Sequence, residues 1–168
     1  MRDLELRKAA FNVAIPPGQI DFADSKLRQV TPLMADGAME LLENTQDEIR
    51  VSGCLEVQME TDCDRCLEPV RIPLGAPFDL YYRLNGSVGG RDEIAIRTPD
   101  SEVGFYEGDG LELNDILREQ ILLLLPMQRV CSESCKGFCP ACGANRNQVD
   151  CGCHFQPQDD RWSALKNL

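Results

Sequence analysis

The residues of this chain that could do chemistry are its cysteines, and most of them lie close together. Six of the nine cysteines fall between Cys131 and His154, and this segment also holds the only histidine. Within it, Cys139-Pro140-Ala141-Cys142-Gly143 places two thiols three residues apart. The proline sets a tight turn, and the glycine permits the positive φ that brings backbone N–H groups toward the sulfurs. The pattern is typical of a zinc knuckle, in which two thiolates bind one metal ion.

A second pair of thiols, Cys151-Gly152-Cys153, follows the knuckle after eight residues. Four thiolates in two pairs are the ligand set of a closed structural zinc site. Thiolate-rich tetrahedral sites favour zinc or iron–sulfur centres, and paired knuckles favour zinc. The predicted cofactor is therefore zinc, and the predicted ligands are Cys139, Cys142, Cys151 and Cys153.

Two other ligand sets stay open. In one, Cys135 replaces a member of the Cys151/Cys153 pair, because the segment from Cys135 to Cys139 also turns at a glycine. In the other, His154 is a ligand, and we place this option last because thiolates are abundant beside it.

A third cysteine pair lies far from this segment, at Cys63-Asp64-Arg65-Cys66. With the six later cysteines it makes eight thiols, enough for two sites of four. The pair is either half of a second metal site or a hairpin tip whose thiols and Arg65 contact a partner. A redox dithiol is disfavoured, because strands flank the pair on both sides and Asp62 and Asp64 oppose thiolate formation.

The elements that must position these cysteines are strands. Apolar or small residues alternate with polar ones from Ile49 to Thr61, and the alternation resumes from Val70 to Leu74 and from Phe78 to Tyr82. This period of two predicts long, half-buried antiparallel strands with Cys63 and Cys66 at the tip between them. Gly53 indicates a bulge where the first of them bends.

One helix is predicted, over residues 114–125. Asn114 is its expected N-cap, Asp115 suits the helix dipole, and Pro126 ends it. Residues 159–168 carry apolar side chains at helical spacing and predict either a tail helix that docks on the protein, which we favour, or a segment that binds a partner.

Together these elements predict an α+β fold. We expect a mainly antiparallel twisted sheet or a partly closed β-barrel, one packed amphipathic helix and a C-terminal zinc-binding extension. The predicted domains are a β-rich domain, 1–128, and a cysteine-rich extension with its tail helix, 129–168.

Composition limits the function. The formal net charge is −11 and the pI is about 4.5, which disfavours sequence-independent binding to nucleic acid and suits a basic protein partner. The longest apolar run has five residues and the N-terminus is charged, so we expect no membrane partner and a cytoplasmic protein. The sole histidine lies among cysteines and leaves no independent base for a relay, so no enzyme is predicted and no small-molecule substrate is evident.

Four stretches of the chain resemble the bacterial YceD family: C-D-R-C-L-E-P-V (63–70), C-K-G-F-C-P-A-C-G-A-N-R-N (135–147), C-G-C (151–153) and W-S-A-L-K-N-L (162–168). That family is implicated in accumulation of large-subunit ribosomal RNA and has relatives in plastids. The resemblance implies that Cys63, Arg65 and Cys66 match its first cysteine motif. It also implies a second motif at Cys135, Cys139, Cys142, Cys151 and Cys153.

The resemblance implies a role in ribosome biogenesis without a known reaction. We expect a non-catalytic factor that supports synthesis, processing or stability of large-subunit ribosomal RNA. The acidic charge favours a ribosomal protein or an rRNA-processing factor as its partner, with any contact to rRNA being local. The alternatives are a zinc ribbon that binds precursor rRNA directly and an RNA-processing enzyme.

Overall fold

A computed structural model describes residues 8–24, 26–42, 48–85, 103–108 and 110–153. These residues form six strands and one helix: β1 (Lys8–Ile15), β2 (Arg28–Gln29), β3 (Leu33–Leu41), β4 (Ile49–Asp62), β5 (Pro69–Leu84), β6 (Val103–Tyr106) and α1 (Leu113–Leu124). His154 and the predicted tail helix at 159–168 lie outside the described residues. The helix found in the described part of the chain is not long and apolar enough to cross a membrane.

The strands form one open mixed sheet in the order β1-β3-β4-β5-β6, with β2 paired to β4 beside this path. β3 pairs antiparallel with both β1 and β4, whereas β5 and β6 run parallel. The expected mainly antiparallel sheet is therefore confirmed. The described strands form an open sheet with β1 and β6 at its two edges. They do not show the partly closed barrel that was the other predicted form.

β4 follows the predicted alternation, since its alternate side chains are buried at Ile49, Val51, Leu55, Val57, Met59 and Thr61. The apolar ones among them belong to the same core as Ile116, Leu117 and Ile121 of α1. Each fully buried side chain of this size contributes about 1.5–3 kcal/mol, so the core fixes which face of β4 points inward.

Ion pairs align β4 with β5 along their length. Arg71 bonds Glu60 near the tip, the Arg50 guanidinium makes two bonds to Asp79 further away, and Arg83 pairs with Glu48 at the far end. From one pair to the next, the residue number falls on the β4 side and rises on the β5 side, as in an antiparallel hairpin. This long hairpin carries Cys63 and Cys66 at its tip.

Gly53 does not form the bulge that the sequence indicated. It lies in unbroken antiparallel register opposite Gly37 of β3, and here the two backbones approach closely. A Cβ on Gly53 would lie 2.3 Å from the carbonyl oxygen of Asp36, and one on Gly37 would lie 2.2 Å from that of Ser52. Both positions therefore require glycine for lack of space.

The helix differs from its prediction by one residue at each end. It begins at Leu113 after the extended residue Glu112, which makes no side-chain capping bond, so the predicted cap at Asn114 is wrong. Its last residue, Leu124, lies one position before the predicted end, because Pro126 disfavours helical backbone at the residue before it and Leu125 is extended, with φ −63° and ψ 134°.

The chain divides into two compact units. The first, the sheet unit, comprises Met1–Thr61 and Arg71–Met127. The second, the cysteine unit, comprises Asp62–Val70 and Gln128–Leu168. The tip of the β4–β5 hairpin thus belongs to the same unit as the cysteine-rich segment.

Replacing Gly53 with alanine tests the close approach of β3 and β4. We expect Gly53→Ala to lower the free energy of unfolding by about 1–3 kcal/mol, because the new methyl group meets backbone atoms that cannot move aside. Urea unfolding followed by circular dichroism measures this. Gly75→Ala is the matched control on β5, since its nearest contact would be an ordinary 3.5 Å to Glu56. Equal stability of the two variants would contradict the account.

Candidate metal centres

Eight cysteines of the cysteine unit form two groups of four. The hairpin cluster consists of Cys63, Cys66, Cys131 and Cys135, and the tail cluster consists of Cys139, Cys142, Cys151 and Cys153. Within each cluster the four sulfur atoms lie within 4.8 Å of one another, so that either cluster could hold a metal ion. Cys63, Cys66 and Cys135 of the first cluster and Cys139 of the second are buried, and each cluster also has exposed members.

The tail cluster is built on the turn that the sequence predicted. The Gly143 N–H donates to the Cys139 carbonyl oxygen at 2.8 Å, and Gly143 takes a φ of 74°. Gly152, between Cys151 and Cys153, takes a φ of 60°. Left-handed backbone at both glycines lets the chain reverse around the four sulfurs.

The hairpin tip forms the same turn with a different residue in the strained position. The Leu67 N–H donates to the Cys63 carbonyl oxygen at 2.9 Å, and Leu67 takes a φ of 63°. This is the place that Gly143 occupies in the tail cluster. Leucine pays about 1–2 kcal/mol for left-handed backbone, so the surrounding contacts must impose it.

Backbone hydrogen bonds join the hairpin tip to the cysteine-rich segment inside this unit. The Asp64 N–H donates to the Arg129 carbonyl oxygen at 2.8 Å, and the Arg129 N–H donates to the Asp64 carboxylate at 2.7 Å. Further along, the Phe138 N–H donates to the Arg65 carbonyl oxygen at 2.9 Å. A Cβ on Gly137 would lie 2.8 Å from that same oxygen, so glycine permits this approach.

The Arg65 side chain has an internal role in this arrangement. Its Nη1 atom donates to the carbonyl oxygens of Glu133 and Cys135, each at 3.2 Å. The guanidinium therefore braces the backbone that presents the Cys135 thiol. The sequence reading, in which Arg65 contacts a partner, stays a prediction.

Hydrogen-bond donors surround the sulfurs. The backbone N–H groups of Arg65 and Cys131 both donate to Cys63 Sγ at 3.4 Å, and the Asn147 side-chain amide donates to Cys135 Sγ at 3.2 Å. Donors to sulfur favour the thiolate, which is the form that binds metal.

One thiol in each cluster ionises easily. Burial is the largest influence on Cys63 and raises its pKa, but several backbone N–H groups, led by that of Arg65, outweigh it and lower the pKa to about 6. At Cys139, the backbone N–H groups of Cys142 and Ala141 lower the pKa to about 6. Each cluster therefore offers at least one thiolate near neutral pH to a cation.

Another thiol in each cluster resists ionisation. Cys66 accepts the Glu68 N–H, which lowers its pKa, but burial and the neighbouring thiols prevail and raise the pKa to about 12. Hydrogen bonds with Cys142 and Cys151 raise the pKa of Cys153 to about 12. Four crowded thiols do not all become thiolates unaided, whereas a bound cation favours ionisation of each.

The structure divides the cysteines predicted from the sequence between two separate clusters. The first predicted set is brought together as the tail cluster, while Cys135 lies in the hairpin cluster with Cys63 and Cys66. Sequence reasoning gave no role to Cys131, which completes the hairpin cluster. The count of eight thiols pointed to two sites, but only the fold shows that Cys131 meets the hairpin tip. Cys54 is exposed on β4 and belongs to neither cluster.

Comparison with known proteins identifies the family. The family model described as "Large ribosomal RNA subunit accumulation protein YceD" matches residues 51–168, which include all eight clustered cysteines. The chain belongs to the YceD family. Membership confirms the resemblance and connects the chain to a family named for accumulation of large-subunit rRNA.

The chain also has distant relatives among known proteins. Two uncharacterised proteins, from Mycobacterium tuberculosis and Mycobacterium bovis, are each 27% identical over 127 residues, which is 76% of this chain and 58% of theirs. The chain thus spans less than two thirds of the length of these relatives. The uncharacterised protein YlbN of Bacillus subtilis is 26% identical over 160 residues, 94% of this chain and 86% of its own. No solved structure matches the chain.

Replacing Leu67 with glycine tests the strained turn. We expect Leu67→Gly to raise the free energy of unfolding by about 1 kcal/mol under metal-replete conditions, because glycine adopts left-handed backbone without the steric cost. Val149→Gly is the control, since Val149 is also exposed but does not have a positive φ. Thermal unfolding of both variants measures the difference, and a loss of stability in Leu67→Gly equal to that in the control would refute the strain.

Proposed function

We propose that this protein is a non-catalytic factor in biogenesis of the large ribosomal subunit, and that it supports synthesis, processing or stability of large-subunit rRNA. One observation carries the proposal: the family model named for this role spans the whole cysteine-rich region, from before Cys63 to the end of the chain. The family name describes accumulation of an RNA, and it does not name a reaction. The proposed compartment is the cytoplasm, where thiols stay reduced.

In this proposal zinc fills the tail cluster. Four thiolates with two tight turns suit a closed zinc site, and softness favours zinc among common divalent ions. The described part of the cysteine unit has a small apolar cluster, formed by three cysteines with Val70 and Val130. So small an interior gives little hydrophobic stabilisation, and metal binding supplies folding free energy in its place.

The charge of the chain is divided unevenly between its units. The sheet unit has 21 acidic and 11 basic residues, a net charge of −10, whereas the cysteine unit has seven acidic and six basic residues, a net charge of −1. An acidic surface attracts basic proteins and repels the phosphate backbone. We therefore propose that the sheet unit binds a basic partner, either a ribosomal protein or an rRNA-processing factor.

A second candidate function is direct contact between the cysteine unit and rRNA. This unit lacks the strong negative charge, and it exposes Phe138 between Lys136 and the neighbouring Arg146, whose N–H donates to the Gly137 carbonyl oxygen. Aromatic side chains beside basic ones can stack on unpaired bases. The contact would be local and would add to the protein partner.

Depletion of the protein tests the proposed function. We expect mature large-subunit rRNA to fall relative to small-subunit rRNA, and the wild-type gene to restore it. A Cys139→Ser/Cys142→Ser variant should fail to restore it because the tail cluster loses two ligands, whereas Cys54→Ser should succeed. An unchanged rRNA ratio after depletion would overturn the proposal.

Affinity capture separates the two candidate partners. A basic protein that stays bound after ribonuclease treatment supports the protein partner, because the contact does not then require RNA. Capture that is lost with ribonuclease supports the RNA contact. In that case Phe138→Ala should weaken RNA retention, while Val149→Ala, also at an exposed apolar residue, should not.

A further inference from the structure

We propose that the hairpin cluster is a second zinc site, filled at the same time as the tail cluster, and that Asn147 couples the two sites. The coupling rests on the zinc in the tail cluster proposed above. The second site itself does not depend on a role in rRNA accumulation.

The spacing of the sulfurs in the hairpin cluster fits one tetrahedral ion. Cys63 Sγ lies 3.9 Å from Cys135 Sγ, and Cys66 Sγ lies 3.7 Å from Cys131 Sγ. Zinc–sulfur bonds of about 2.3 Å in tetrahedral geometry place sulfurs about 3.8 Å apart. The thiolates of an iron–sulfur cluster are divided between two or four irons, so those on different irons lie further apart than the 4.8 Å within which all four sulfurs lie here. The distances therefore favour a single ion.

The surroundings of this cluster also fit a metal site. Cys63, Cys66 and Cys135 are buried beside Val70 and Val130, which keeps water from three of the four ligands, while Cys131 is exposed. Two backbone N–H groups reach Cys63 Sγ, as described above, and they can share the negative charge of a metal-bound thiolate. Buried thiolates at this spacing repel one another strongly without a cation, so the site suits a dication.

Asn147 connects the two clusters. Its amide nitrogen donates to Cys135 Sγ of the hairpin cluster, but the residue itself lies in the loop between Cys142 and Cys151 of the tail cluster. Two hydrogen bonds fix its orientation: its own N–H donates to Asn145 Oδ1, and the Lys136 N–H donates to Asn147 Oδ1. Zinc in the tail cluster holds both ends of this loop. It thereby holds the donor that orients a ligand of the other zinc, which makes Asn147 a positioning residue.

Metal stoichiometry tests the second site. The full chain, purified under reducing conditions and dialysed against metal-free buffer, should contain two zinc ions per chain by elemental analysis. Cys66→Ser/Cys131→Ser should contain one, and the control Cys54→Ser should contain two. One zinc in the wild-type protein, two in the double variant, or iron in place of zinc would each overturn the proposal.

Cobalt titration of the wild-type chain tests the second site even if the double variant does not fold. Cobalt bound by four thiolates absorbs strongly, so two equivalents should be needed to reach the full absorbance of the reduced, metal-free protein. Saturation at one equivalent would refute the second site without any substitution.

Chelator competition tests the coupling. Asn147→Ala should retain two zinc ions but lose one of them about 10–100 times more readily to the chelator, the usual effect of removing a hydrogen bond to a ligand. The cobalt absorption of that site should also shift, since the charge on Cys135 changes. Gln148→Ala, at the next residue in the same loop and bonded to Glu68, is the matched control and should match the wild type.

Making the Asn147 substitution in a variant that binds only the tail zinc identifies which zinc is affected. In Cys66→Ser/Cys131→Ser, which keeps the tail zinc alone, Asn147→Ala should leave zinc release unchanged. An equal loss there would show that Asn147 acts on the tail cluster only and would refute the coupling. A normal rRNA ratio after depletion would contradict the proposed function and leave these metal measurements standing.

Discussion

The cysteine unit depends on one constraint: its eight clustered thiols cannot all be ionised and close together without cations. Each cluster confines four sulfurs within 4.8 Å, and three cysteines of the hairpin cluster, Cys63, Cys66 and Cys135, form the buried part of the unit's small apolar cluster. Candidate ligands and core are therefore largely the same side chains in the hairpin cluster. Binding a dication would neutralise the repulsion and fix the fold in a single event. The turns at Leu67 and Gly143 and the brace from Arg65 all serve this arrangement.

The sheet unit meets its own constraint by ordinary packing. β4 and β5 have 14 and 16 residues, and their length carries the cysteine pair to the end of the hairpin. Buried alternate side chains fix the register of β4, and Gly37 and Gly53 let it approach β3 closely. A shift of one residue would turn every core side chain outward, so the register of the sheet also determines where Cys63 and Cys66 emerge.

Local patterns predicted what depends on local chemistry. The alternation around Val51 and Leu55 gave β4, Pro126 gave the end of α1, and the Cys139–Gly143 turn gave the tail cluster. The failures involve contacts distant in sequence. The sequence predicts a bulge at Gly53 because it does not reveal the partner Gly37, and it predicts no role for Cys131 because Cys63 and Cys66 lie 68 and 65 residues earlier. The capping error at Asn114 has another cause: packing of Ile116 and Leu117 fixed where the helix begins, and propensity did not.

The spacing of the hairpin cluster along the chain has a consequence for synthesis on the ribosome. Cys63 and Cys66 are translated first, and Cys131 follows Cys66 after 65 residues. At about 5–20 residues per second, the early pair waits roughly 3–13 seconds for its partners. During that interval the strand β6 and the helix α1 are being made. The cysteine unit is thus completed only after the part of the sheet unit that separates its two segments.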